Sequence, residues 1–200
     1  MAGLNYGTVI GTSWLVFLIV WGIGALNVKR DAGCHISWWH RYWFARVVLI
    51  MLCLAVLLRI ERSRAHKPIK PFFLYVHFFT PGEPIGWIAA AVTVLGIALA
   101  IWARICLGRN WSSAPAVKEG HALVTSGPYR LVRHPIYTGI LLAALGSALT
   151  GSIFAIWILA AVAVVFYRRI DKEERIMLEL FPEAYRTYQS RTKRLIPWLF

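Results

Sequence analysis

The sequence predicts an all-α integral membrane protein of about five transmembrane helices with a C-terminal amphipathic cytoplasmic helix, and three observations carry that prediction. The 200 residues are 58% hydrophobic and 16% charged, which leaves too little polar surface to cover the core of a soluble domain. Several apolar runs approach the ~20 residues that a helix needs to cross ~30 Å of hydrocarbon. The 22 Lys and Arg, source of the net charge of +13, lie almost entirely between those runs or in the C-terminal tail. Cations placed that way meet anionic headgroups on the cytoplasmic side. They form no continuous stripe with interleaved exposed aromatics, so no nucleic-acid partner is expected.

Span one is read over residues 4–26 and span two over 42–58. No basic residue precedes Lys29, so the first run lacks the charged start of a signal peptide and is expected to be retained. A basic, proline-containing connection over 59–84 leads to span three, 85–107, and a polar loop over 108–134 follows. Spans four and five, 135–149 and 152–167, are joined only by Thr150-Gly151, and a charged amphipathic tail begins at Arg168. Residues 1–200 form a single membrane domain: 1–107 hold spans one to three, and 108–200 hold the polar loop, the helical hairpin and the tail. Cys34, Cys53 and Cys106 are odd in number and irregularly spaced, which gives neither a disulfide framework nor a zinc site.

Loop charge sets the orientation. The loop before span four and the tail are basic, while the turn between spans four and five is uncharged, so both basic segments are expected in the cytoplasm and the N-terminus outside. The cations Arg59, Arg62, Arg64, Lys67 and Lys70 run against that pattern, and the stretch 72–79 is too short to add a span. Span four, about fifteen residues, covers only ~22 Å, and a helix that starts inside the membrane leaves room for a pocket below the cytoplasmic surface.

The polar residues with most chemistry border that short span. Gly127-Pro128 signals a turn, and Pro135 suits a first helical position, which puts His134 at the helix entrance. Free N–H groups there, with Arg133 beside them, attract anions. Tyr137 follows about a turn later, and Gly139 permits close approach by a helix or ligand. Each residue alone is more simply an interfacial polar or belt residue; their concentration around one short span is what marks a site. In the tail, Arg169 and Glu173 are four apart, on a helical face that continues through Met177, Phe181, Tyr185 and Tyr188. Glu173 thus sits on a packing face and needs a cationic partner, either Arg169 in a local pair or a ligand. No glycine-rich dinucleotide or phosphate fingerprint, zinc-spaced His/Glu pair or nucleophile elbow is present.

These residues resemble the isoprenylcysteine carboxyl methyltransferase family, within the group that includes membrane phospholipid methyltransferases. The resemblance covers about the last hundred residues. It rests on the run from His121 to Tyr129, on Arg133-His134-Pro135-Ile136-Tyr137-Thr138-Gly139, and on Arg169, Glu173-Glu174, Phe181 and Tyr185. It implies S-adenosylmethionine as cofactor, with His121, Ala122, Leu123, Val124, Tyr129, His134, Pro135, Ile136, Tyr137 and Glu173 lining its site, and Arg169 as the catalytic residue that binds the methyl acceptor. It implies a lipophilic small molecule or lipidated substrate as partner, membrane lipids around it, and an active site on the cytoplasmic face of a bacterial inner membrane or the endoplasmic reticulum. Carboxyl methylation of an isoprenylcysteine-like substrate is the first expectation, with phospholipid amine or thiol methylation as alternatives. Where family members carry a polar residue upstream of His121, this chain has Ala114-Pro115-Ala116, and it has fewer spans than the eukaryotic members. A sterol-reductase-like NADPH enzyme would need a longer chain, and a transporter would need ionisable residues within the spans.

Overall fold

The computed structural model describes residues 5–26, 77–108 and 123–197. Span two, most of the 59–84 connection, Cys34, Cys53, His121 and Ala122 lie outside the described residues. The described elements are mostly helical: α1 (Tyr6–Leu26), α2 (Glu83–Leu107), a 3-10 turn (Gly127–Arg130), α3 (Pro135–Ala148), α4 (Ile153–Leu180) and α5 (Pro182–Arg191). Three of them, α1, α2 and α4, are long and apolar enough to cross a membrane.

Local chemistry sets the helix ends. Asn5 Oδ1 accepts from the Thr8 N–H at 2.8 Å and caps α1. Proline at its start and Gly108 in the left-handed region (φ 54°) at its end bracket α2, within two residues of the expected span. Arg104, buried near that end, donates to Gly108 O at 2.8 Å and to Gly24 O at 2.7 Å, so one guanidinium satisfies carbonyls at the ends of α2 and α1 together.

The centre of the bundle is a backbone-to-backbone seam between α2 and α3. A methyl group on Gly139 would lie 2.6 Å from Ala100 N and from Gly96 O, and one on Gly146 would lie 2.5 Å from Thr93 Oγ1. Only glycine fits there, because small residues let the helix axes close up. Of the two uses expected for Gly139, the close approach is by a helix. Phe17, Trp21, Ile97, Ala100, Ala103, Tyr129, Ile136 and Ala143 form the core cluster, and Trp14 Nε1 donates to Ser147 Oγ at 2.9 Å to tie α1 to α3.

At the opposite end of the hairpin, Phe78 N–H donates to Gly151 O at 2.8 Å and His77 bridges to Ser152. The segment before α2 and the α3–α4 turn therefore share one side of the molecule, as the expected topology requires.

Two expectations are corrected. The tail does not begin as a separate helix at Arg168: α4 runs unbroken for 28 residues from Ile153 to Leu180. No Gly or Pro occurs within that stretch, and its ~42 Å exceeds the ~30 Å hydrocarbon, so its charged end projects beyond the apolar part. The stripe from Met177 to Tyr188 is not one helical face, because the helix stops at Phe181 (φ −133°, ψ 61°) and Pro182 opens α5. A residue before proline is driven out of the helical region.

Candidate active site

The entrance of α3 is where three distant pieces of chain meet. His134 is its N-cap, and its ring lies parallel to that of Tyr137 (interplanar 4°, centroids 5.6 Å apart). Tyr137 stacks in turn on Phe166 of α4, with centroids 4.2 Å apart. This aromatic stack brings the entrance against the polar end of α4, where Glu173 and Glu174 project.

The two neighbouring carboxylates have different surroundings. Glu173 Oε1 accepts from the Tyr137 hydroxyl at 2.6 Å and from Arg169 Nε at 2.7 Å. Its Oε2 stands 3.7 Å from His134 Nδ1, beyond hydrogen-bond distance. The Glu173 and Arg169 side chains keep 23% and 28% of their exposure, and Arg169 also lies 6.0 Å from the Tyr137 ring centre. Glu174 is buried, its side chain 5% exposed. Its Oε1 accepts from Arg133 Nε at 2.7 Å and lies 3.3 Å from His134 Nε2. Its Oε2 meets Arg194 Nη2 at 3.1 Å and Gln189 Nε2 at 3.3 Å. His134 therefore stands between the carboxylates, one at each ring nitrogen.

The third piece is the segment 192–195. It runs alongside residues 132–134: Val132 bridges to Lys193 in parallel, Arg133 N–H donates to Lys193 O at 2.8 Å, and His134 N–H donates to Arg194 O at 3.0 Å. Thr138 Oγ1 donates to Leu195 O at 2.7 Å, and the Arg133 guanidinium also donates to Thr192 O. Arg133 is thus held within the protein and is not open to an anion. The helix start still offers the N–H groups of Ile136 and Tyr137, which have no carbonyl within the helix to pair with.

Of the residues expected at the site, His134, Tyr137, Arg169 and Glu173 are brought together. Pro135, Ile136 and Tyr129 are nearby, but their side chains are buried in the core, and Val124 packs against the same cluster. Leu123 is half-buried. Burial pushes the Tyr129 and Tyr185 phenols well above their usual range. Tyr188 rises to about 12, with burial the main cause, Arg133 opposing it and Glu174 adding to it. Tyr188 is therefore a neutral donor, and it gives its proton to Tyr129 O at 2.6 Å, fixing α5 on the turn before α3. Arg194 and Gln189 were not expected from the sequence, which offers no local signal for a contact across 15 to 20 residues of helix break and turn.

The family model described as isoprenylcysteine carboxyl methyltransferase matches residues 88–179, a stretch that includes α3, the Arg133–Tyr137 entrance and both carboxylates. Over that stretch, a little under half of its length, the chain is similar to the isoprenylcysteine carboxyl methyltransferase family. A protein-S-isoprenylcysteine O-methyltransferase of Schizosaccharomyces pombe is 29% identical over 96% of this chain and 85% of its own length. A cobalt-zinc-cadmium resistance protein of Cupriavidus metallidurans is 34% identical over 63% of this chain. A solved eukaryotic intramembrane Ras methyltransferase shares the fold, with a TM-score of 0.53, 24% identity and 78% of this chain covered. The chain spans 57% of the length of the metal-resistance relative and 53% of the solved isoprenylcysteine carboxyl methyltransferase.

Proposed function

We propose that the chain is an integral membrane S-adenosylmethionine-dependent methyltransferase that acts on a lipophilic acceptor, in the first place the carboxylate of an isoprenylcysteine-like substrate. One observation carries the reading: Glu173, a part-exposed carboxylate, sits where Tyr137, His134 and Arg169 converge at a helix entrance. Such a donor set suits a cofactor that carries a carboxylate, an ammonium, a sulfonium and an adenine. The N–H groups at the α3 start and His134 suit the carboxylate, Glu173 suits a cation, and the Tyr137 ring suits a sulfonium or a base. His121 to Val124 and Tyr129 complete the proposed cofactor wall, with Pro135 and Ile136 contributing backbone.

Bound there, the cofactor would supply an electrophilic methyl group on a positively charged sulfur. The residues do the positioning. Arg169, released from Glu173, would orient the acceptor through paired hydrogen bonds. An acceptor carboxylate is already ionised at neutral pH, so no general base is needed and no proton moves. Five spans in a single domain would place the entrance of α3 and the end of α4 on the cytoplasmic face.

The sequence left open a purely local pair between Arg169 and Glu173. That pair is present, but the same oxygen also takes the Tyr137 hydroxyl from another helix, which a simple surface pair does not require. The test is transfer of a labelled methyl group from S-adenosylmethionine to N-acetyl-S-farnesylcysteine by the purified chain in detergent. Transfer is expected, and Arg169→Lys should lower turnover about tenfold or more with cofactor affinity unchanged, because Lys cannot reproduce a bidentate grip. No transfer to this probe, to phospholipid amines or to small thiols would overturn the proposal.

A further inference from the structure

Glu174 is a buried carboxylate beside the proposed site. Among the described residues its partners are Arg133, His134, Gln189 and Arg194, and its 5% exposure leaves little access for a ligand. Those partners come from two places: the approach to α3, and the end of α5 with the segment after it. The segment 192–195 is not a loose end, since its carbonyls take the N–H groups of Arg133 and His134 and the hydroxyl of Thr138. The backbone that aims His134 at Glu173 is therefore itself paired to chain some sixty residues away.

We propose that Glu174 is a positioning residue: it clasps the segment 192–195 to residues 132–134 and thereby fixes His134 and the start of α3 for the methyl donor. The proposal rests on the methyltransferase reading only for its effect on the donor. The clasp itself is a statement about this chain. A buried carboxylate with cationic partners on both sides is a geometric lock, because removing its charge takes from Arg133 its carboxylate partner among the described residues and leaves Arg194 there with Asp171, 3.0 Å away. Glu173 and Glu174 thus divide the work, the first facing the ligand and the second holding the wall.

Three measurements on the full chain in detergent test this, using Glu174→Gln and, because that variant risks misfolding, the milder Arg194→Gln. Hydrogen exchange of the peptide containing the Arg133 and His134 amides should accelerate about tenfold or more in the first variant and less in the second. The KM for S-adenosylmethionine should rise about tenfold in Glu174→Gln, while the KM for N-acetyl-S-farnesylcysteine and kcat per folded molecule stay within about twofold. Calorimetry with S-adenosylhomocysteine should show a weaker Kd at unchanged stoichiometry. A role in stability alone would lower the stoichiometry and kcat with both KM values and Kd unchanged, and would overturn the proposal. Unchanged exchange at 133–134 in both variants would also overturn it. If the wild-type chain binds neither nucleoside, the methyltransferase reading fails, and the clasp then stands or falls on the exchange result.

Discussion

The α2–α3 seam and the polar entrance of α3 lie on one short helix and are built by opposite rules. In the seam, Gly96, Gly139 and Gly146 bring backbones into contact, and specificity is entirely a matter of volume. At the entrance, Arg133, His134 and Tyr137 are held by two carboxylates, and specificity is a matter of charge and hydrogen-bond count. The seam therefore cannot tolerate an added methyl group, whereas the entrance should tolerate changes of shape but not of charge. A rigid, chemically inert seam beside a charged entrance is what a site needs if positioning does most of the catalytic work.

The sharpest way to break this contrast is Gly139→Val. Its Cβ would meet Ala100 N and Gly96 O at 2.6 Å, both backbone atoms that cannot move aside. The expected result is loss of folded protein, on the order of 3 kcal/mol or more, read as a collapse in monodisperse yield and thermal midpoint. Full stability combined with weaker cofactor binding would show instead that Gly139 belongs to the site and not to the seam.

A smaller effect sharpens the entrance side. Tyr188 binds its proton more tightly in the folded chain, at about 12 against a usual value near 10. A raised pKa means that its contribution is complete below pH 10 and is lost as pH rises from 10 through 12. Tyr188→Phe should cost about 1 kcal/mol at neutral pH through the lost bond to Tyr129 O. It should also make the alkaline fall in thermal midpoint shallower, by up to one proton's worth. An alkaline profile identical to wild type would show that this phenol does not titrate with unfolding.

How much of this was legible in the sequence follows the same divide. The apolar helices, the Thr150-Gly151 turn, the closeness required at Gly139 and the meeting of His134, Tyr137, Arg169 and Glu173 were readable, because each depends on local periodicity or a motif. Two local signals run against the expected boundaries: nothing in residues 153–180 stops a helix, yet span five is expected to end at 167, and Pro182 breaks the face expected to run through to Tyr188. The different surroundings of Glu173 and Glu174 were not readable. A packing face spans about 100° of a helix, wide enough to include both residues, and only the true contacts show that Glu174 is the buried one. The pairing of 192–195 with 132–134 joins residues about sixty apart through backbone groups that every residue carries, so no side chain announces it.

The central claim of the proposed reading is that Glu173 faces a cationic cofactor and is held in place by the Tyr137 hydroxyl, while Arg169 serves the acceptor. Calorimetric titration of S-adenosylmethionine into the wild-type chain and Glu173→Gln in detergent tests it most directly. A charge-assisted hydrogen bond is worth roughly 1.5–3 kcal/mol, so the variant should bind about ten- to a hundredfold more weakly, with its thermal midpoint within a few degrees of wild type. Equal affinity in the two proteins, or no binding by the wild type at millimolar cofactor, would contradict it.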